Sequence, residues 1–118
     1  MSLSERQRRE KLGRRAENLA ALYLRLKGYR ILSRRFKCKA GEIDIIARKK
    51  NLIIFIEVKA RKSLAEARGS ISASSKNRIS HAANIFLAQA KNLQGLGVRF
   101  DAVFVLPRFN VVHEKSFW

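Results

Sequence analysis

Residues 41–47 (GEIDIIA) and 52–59 (LIIFIEVK) are β-branched or apolar at almost every position, with only the polar segment Arg48-Lys49-Lys50-Asn51 between them. Runs of this kind flanking a short polar break read as the two arms of a β-hairpin. A strand with one wet face alternates apolar and polar residues. These arms do not, so both are expected to be covered on two faces, in the centre of a sheet. The chain's 118 residues suit one domain, 1–118, and an ordinary apolar fraction excludes disorder, collagen-like repeats and low complexity.

The flanking sequence supplies the covering elements. Ser4-Glu5-Arg6-Gln7 fits a capping box, and Leu12, Ala16, Leu19, Ala20, Tyr23 and Lys27 recur at helical spacing before Gly28, which predicts a helix over 5–27. Residues 29–36 read as a first strand. The Ser/Ala/Gly-rich stretch 63–75 reads as a loop, with Gly69 its most flexible point. A second helix is predicted over 74–93, with Ile79, Ala82, Ala83, Phe86, Ala90 and Leu93 on one face and Lys76 one turn before them. Gly95 and Gly97 end it, and strands over 99–106 and 109–113 follow, separated by Pro107. The expected architecture is α/β, a mixed sheet flanked by helices in the order αβββαββ.

Charge narrows the function. The chain carries 26 Lys and Arg against 9 Asp and Glu, a net +17. Such self-repulsion points to a polyanionic partner, nucleic acid ahead of an anionic membrane surface. The single cysteine, Cys38, allows no internal disulfide and belongs to no zinc-binding spacing. With no apolar run of 18 residues and a basic N-terminus lacking a signal-like apolar stretch, a cytoplasmic protein without a membrane association is expected. Arg6, Arg8, Arg9, Lys11, Arg14 and Arg15 form the outer face of the first helix. That face is either simply solvated or a phosphate-contacting surface, and the overall charge favours the second.

Acids are scarce, yet Glu42, Asp44 and Glu57, three of the nine, fall in the most apolar part of the chain. Glu57 and Lys59, two apart, share a strand face. A hairpin loop with an even number of residues, either Lys49-Lys50 or 48–51, brings Asp44 to that same face, and Glu42 with it. Two carboxylates on a buried surface repel and are costly to desolvate unless compensated. A divalent cation compensates them, and oxygen-only ligation with open positions is what magnesium prefers. A lysine two residues beyond a metal-binding glutamate stabilises charge building at phosphorus. The bland reading is a Glu57–Lys59 or Glu42–Lys59 ion pair that fixes sheet register.

At these residues the sequence resembles the YraN-type family of bacterial proteins, which are similar in fold to restriction endonucleases and Holliday-junction resolvases. Gly41-Glu42-Ile43-Asp44-Ile45-Ile46-Ala47 is similar to that family's GEIDLIA signature, and Phe55-Ile56-Glu57-Val58-Lys59-Ala60-Arg61 to its FVEVKTR signature. Gly13 with Glu17 and Ala20, Lys76, Arg99-Phe100-Asp101 and Phe117 extend the likeness over nearly the whole chain. The resemblance implies a restriction-endonuclease-like sheet and a PD-(D/E)xK set of Asp44, Glu57 and Lys59. It also implies Mg2+ or Mn2+ as cofactor, held by Asp44, Glu57 and Glu17, the last a further catalytic acid reaching the site from the first helix. A homodimer follows by analogy with the resolvases. Two departures add positive charge: Arg35 stands where relatives commonly carry asparagine, and Arg68 where they often carry an aromatic before Gly69.

The function expected is metal-dependent hydrolysis of phosphodiester bonds in nucleic acid, DNA favoured, branched or structured DNA included. Arg14, Arg15, Arg35, Arg61 and Lys76 are the candidate phosphate contacts, though Lys76 reads equally as a lysine laid over apolar surface. The rival readings are a catalytically silent nucleic-acid-binding protein and a small RNA- or ribosome-associated basic protein. Asp101 is expected to pair with Arg99, and His81 and His113 to be surface or satisfied histidines. Tyr29, Phe109, Phe117 and Trp118 are candidates for stacking on bases, with core or edge packing the preferred reading.

Overall fold

The computed structural model describes residues 4–118. Helix α1 (Glu5–Leu26) starts at the predicted capping box: the Ser4 hydroxyl accepts the Gln7 N–H, and the Gln7 side chain accepts the Ser4 N–H. It stops at Gly28, whose φ of +89° lets the Gly28 and Tyr29 N–H groups turn back onto Arg25 and Leu24 carbonyls. Its buried stripe, Ala16, Ala20, Ala21 and Leu24, is mostly small, so the helix lies close against the sheet.

The sheet has five strands in sequence order: β1 (Arg30–Cys38), β2 (Gly41–Lys49), β3 (Leu52–Ala60), β4 (Gly97–Leu106) and β5 (Asn110–Glu114). All neighbours are antiparallel except β3 and β4, which are parallel. A parallel pair needs a crossover, and this one contains helices α2 (Leu64–Gly69) and α3 (Ala73–Gln89). The two apolar arms are β2 and β3, flanked on both sides as their patterning requires. Ile45, Ala47, Ile54, Ile56 and Val58 pack under α1. Ile46, Ile53 and Phe55 pack under Ile79, Ala82 and Ala83 of α3.

The hairpin loop is even, as expected, but consists of Lys50-Asn51, since Lys49 pairs with Leu52. That is one residue along from Lys49-Lys50 and falls within the longer alternative, 48–51. Residues 63–75 are not a plain loop: Ser63 caps α2 by accepting the Glu66 N–H, and Ala67 is wholly buried beneath Phe104 and Ile71. The second predicted helix ends at Gln89 rather than 93, followed by a 3-10 turn, Lys91–Leu93. The last strand begins at Asn110 because Pro107–Phe109 forms a tight turn with left-handed backbone at Arg108 and Phe109. Among the described residues no helix is long and apolar enough to cross a membrane.

Candidate active site

The β2–β3 ladder runs from Lys49/Leu52 to Ile45/Ile56 and stops one step short of Asp44 and Glu57. There the Asp44 carboxylate comes between the strands and accepts the Val58 N–H at 2.8 Å, taking the place of a ladder bond. The strand rotates at this point: Ile45 packs in the α1 layer, whereas Ile43, two residues earlier, packs with α3. Residues two apart normally share a face, so Asp44 sits at a break in the alternation. The same register extended one step would set Asp44 opposite Glu57, and both carboxyl groups line the same cavities. Among the described residues neither Glu57 nor Lys59 forms an ion pair, so the register-fixing pairs considered above are not formed.

A cavity of about 600 Å³ opens over these groups, lined by Asp44, Glu57 and Lys59 from the sheet, by Arg61 just after β3, and by Arg9, Gly13 and Glu17 from α1. A smaller one, about 340 Å³, continues past Glu17 and Glu42 to Ser75 and Arg78 of α3. Helix α3 lies against β2 at Gly41, where a Cβ would stand in ordinary contact, 3.4 Å from the Cβ of Arg78, and the φ of +150° favours glycine. Glu17 thus reaches the site, but its carboxylate is held by Arg35, Nε to Oε1 2.8 Å. Arg35 follows the β1 bulge and falls opposite Asp44, with a left-handed φ of 54°. Arg14 lies beside this pair with Lys37 and Glu42, while Arg15 is exposed on α1. Lys76 is elsewhere: its Nζ lies 5.2 Å from the Phe117 ring centroid, and Arg78 is the α3 cation at the acids. Arg78 was not foreseen, for its position carries no signal until α3 packs on β2.

Burial pushes the Asp44 carboxyl up to about 8, and the adjoining Glu57, by hydrogen bond and by charge, adds to the shift. The Val58 N–H and the Lys59 charge pull the other way without prevailing. Glu17, by hydrogen bond and charge, raises Arg35 above the ordinary guanidinium value. Near neutral pH the Asp44 carboxyl therefore holds a proton that bulk water would remove.

The family signatures lie on these strands. The model of the uncharacterised protein family UPF0102 matches residues 16–105. The chain belongs to that family. Similar chains include the UPF0102 proteins of Bartonella bacilliformis, 53% identical over 80% of this chain and 78% of the relative, and of Mesorhizobium japonicum, 48% identical over 98% and 93%. That of Agrobacterium fabrum is 49% identical over 89% and 86%.

Glu17, Asp44, Glu57 and Lys59 all lie within the matched UPF0102 region. Among the described residues no three Asp, Glu, His or Cys side chains converge closely enough to hold a metal by themselves. The donor set is two hard carboxylates, with Glu17 one ion pair away. That still fits magnesium, which is commonly held by one or two carboxylates and fills its other positions with water and phosphate. Asp101 is a separate matter: it is fully buried and accepts from Arg99 twice at 2.8 Å and from the Ser116 N–H, and lies 2.7 Å from His113 Nε2. Those bonds outweigh burial and lower its pKa. Asp101 therefore locks β5 and the following residues onto β4, and His113 is satisfied; His81 is exposed. Tyr29 is buried, and Phe117 and Trp118 pack on Phe104 and Phe100.

Proposed function

We propose that this UPF0102 chain is a metal-dependent nuclease that hydrolyses phosphodiester bonds, with DNA the favoured substrate. The observation that carries the reading is the convergence of Asp44 and Glu57 on one cavity at the open end of the β2–β3 ladder, rimmed by arginines and shared with Lys59, which forms no ion pair among the described residues. Asp44 alone satisfies the Val58 N–H, but that bond does not call for a second carboxyl, Glu57, beside it at such electrostatic cost. They suit a hard divalent cation, Mg2+ or Mn2+, which when bound supplies Lewis acidity for a phosphoryl oxygen and activates water. Asp44 and Glu57 would hold it, with Glu17 able to join once released from Arg35.

The chain's own groups supply the remainder. Lys59 is placed to stabilise the extra negative charge that builds on the phosphoryl oxygens. Arg35, Arg61 and Arg14 orient the phosphates on either side, and Arg78 borders the α3 end of the cavity. Cleavage of a labelled DNA with Mg2+ or Mn2+ tests the reading. Asp44→Asn and Glu57→Gln are expected to abolish cleavage while retaining the fold. Lys59→Ala is expected to lose turnover in a way that extra Mg2+ does not rescue. Wild-type protein that neither cleaves nor gains thermal stability with either metal would favour the silent nucleic-acid-binding reading.

A further inference from the structure

A second groove, about 570 Å³, adjoins the carboxylate cavity and shares Leu12, Ala60 and Arg61 with it. Its floor is apolar, formed by Leu12, Val105, Leu106 and Pro107, and Phe109 stands at its edge with 82% of its surface exposed. Three cations, Arg61, Lys62 and Arg108, surround it against one acid, Glu66. The ring is not exposed through slack. Arg108 and Phe109 both adopt left-handed backbone, φ 65° and 58°, which non-glycine residues avoid. Two such residues in succession turn β4 into β5 and direct the phenyl ring away from the core.

We propose that this groove takes an unpaired nucleobase of a polynucleotide strand, stacked on Phe109, with its phosphate on Arg61 and the chain continuing into the Asp44–Glu57 cavity. An apolar floor within a cationic rim matches a base joined to a phosphate. A second copy of a chain with net charge +17 would bring like charge to that rim. A base inside a duplex has both faces covered by its neighbours, so the ring favours strands that are locally unpaired. The inference rests on the nucleic-acid reading above and adds to it which strand geometry is preferred.

The test is binding without divalent metal, so that cleavage plays no part. The probes are a single strand containing 2-aminopurine and its fully paired duplex, each as DNA and as RNA. Phe109→Ala is expected to lower the ratio of single-strand to duplex affinity about tenfold, and Phe109→Trp to preserve it. Wild type and Phe109→Trp should quench the 2-aminopurine, and Phe109→Ala should not. An unchanged ratio in well-folded Phe109→Ala overturns the proposal. So does a wild-type dimer that Phe109→Ala converts to monomer in sedimentation, since the groove would then hold a second copy. Wild type that binds neither probe overturns the nucleic-acid reading as well. Wild type that shows the stacking signature but cleaves nothing overturns only the nuclease assignment.

Discussion

Asp44 binds its proton more tightly in the folded chain than in the unfolded one, because burial and Glu57 both oppose its charge. From the ordinary carboxylate range near 4 up to about 8, the folded state therefore holds the extra proton and loses stability as pH rises. Metal-free protein is expected to show a falling melting temperature across that window, and Asp44→Asn a flatter profile; scanning calorimetry with a chelator reads both. Asp101 has the opposite sign, and its contribution is lost only as the solution turns acid enough to protonate it. Arg35 sets a second residue-scale outcome. Its left-handed φ is one that asparagine adopts more readily, and its side chain occupies Glu17. Arg35→Asn is expected to keep the fold, free the third carboxylate and tighten Mg2+ binding several-fold, measured by thermal shift against metal concentration.

At the scale of elements, α1 contains a glycine that packing does not require. A Cβ on Gly13 would meet nothing within 4 Å, and Gly13 lines the carboxylate cavity. Gly13→Ala is expected to stabilise the protein by about 0.5–1 kcal/mol through helix propensity, read from denaturant melts. The capping box and Gly28 made this helix legible to within a residue, and unbroken apolar runs gave β3 to within one residue and β2 to within two. The Ser63–Ala67 turn was missed because a Ser/Ala-rich stretch looks like a loop until Phe104 offers Ala67 a surface to pack on. Strand parity put Asp44 in register with Glu57, but it did not contain the break in the ladder through which Asp44 reaches Val58. Phe109 was read as core or edge packing, since hydrophobicity alone does not reveal a backbone turned left-handed after Pro107.

Across the whole molecule, charge is the dominant property. Cations surround the acid cavity from α1, β1, the end of β3 and α3, so a bound strand would be neutralised at several phosphates at once. Each neutralised phosphate releases counterion, and the logarithm of affinity is expected to fall linearly with the logarithm of salt. Five contacts would give a slope of about −4 to −5 on duplex DNA. Charge-removing variants Arg14→Ala, Arg35→Ala and Arg61→Ala should each flatten it by about one, in fluorescence titrations between low and moderate salt. A slope near zero would mean that phosphate contacts do not dominate binding.

The two-residue turn between β2 and β3 also bears on the order of assembly. Asp44 and the Val58 N–H are only 14 residues apart in sequence, whereas pairing β3 with β4 must wait for the chain of α2 and α3 to close. Local hairpins close within microseconds, and non-local parallel pairing comes later. The two carboxylates thus meet while the sheet is still incomplete, and their repulsion falls on the folding barrier. At pH 9 with a chelator, Asp44→Asn is expected to speed refolding and to leave the unfolding rate nearly unchanged in chevron measurements. Slower unfolding with no change in refolding would instead place their meeting after the transition state.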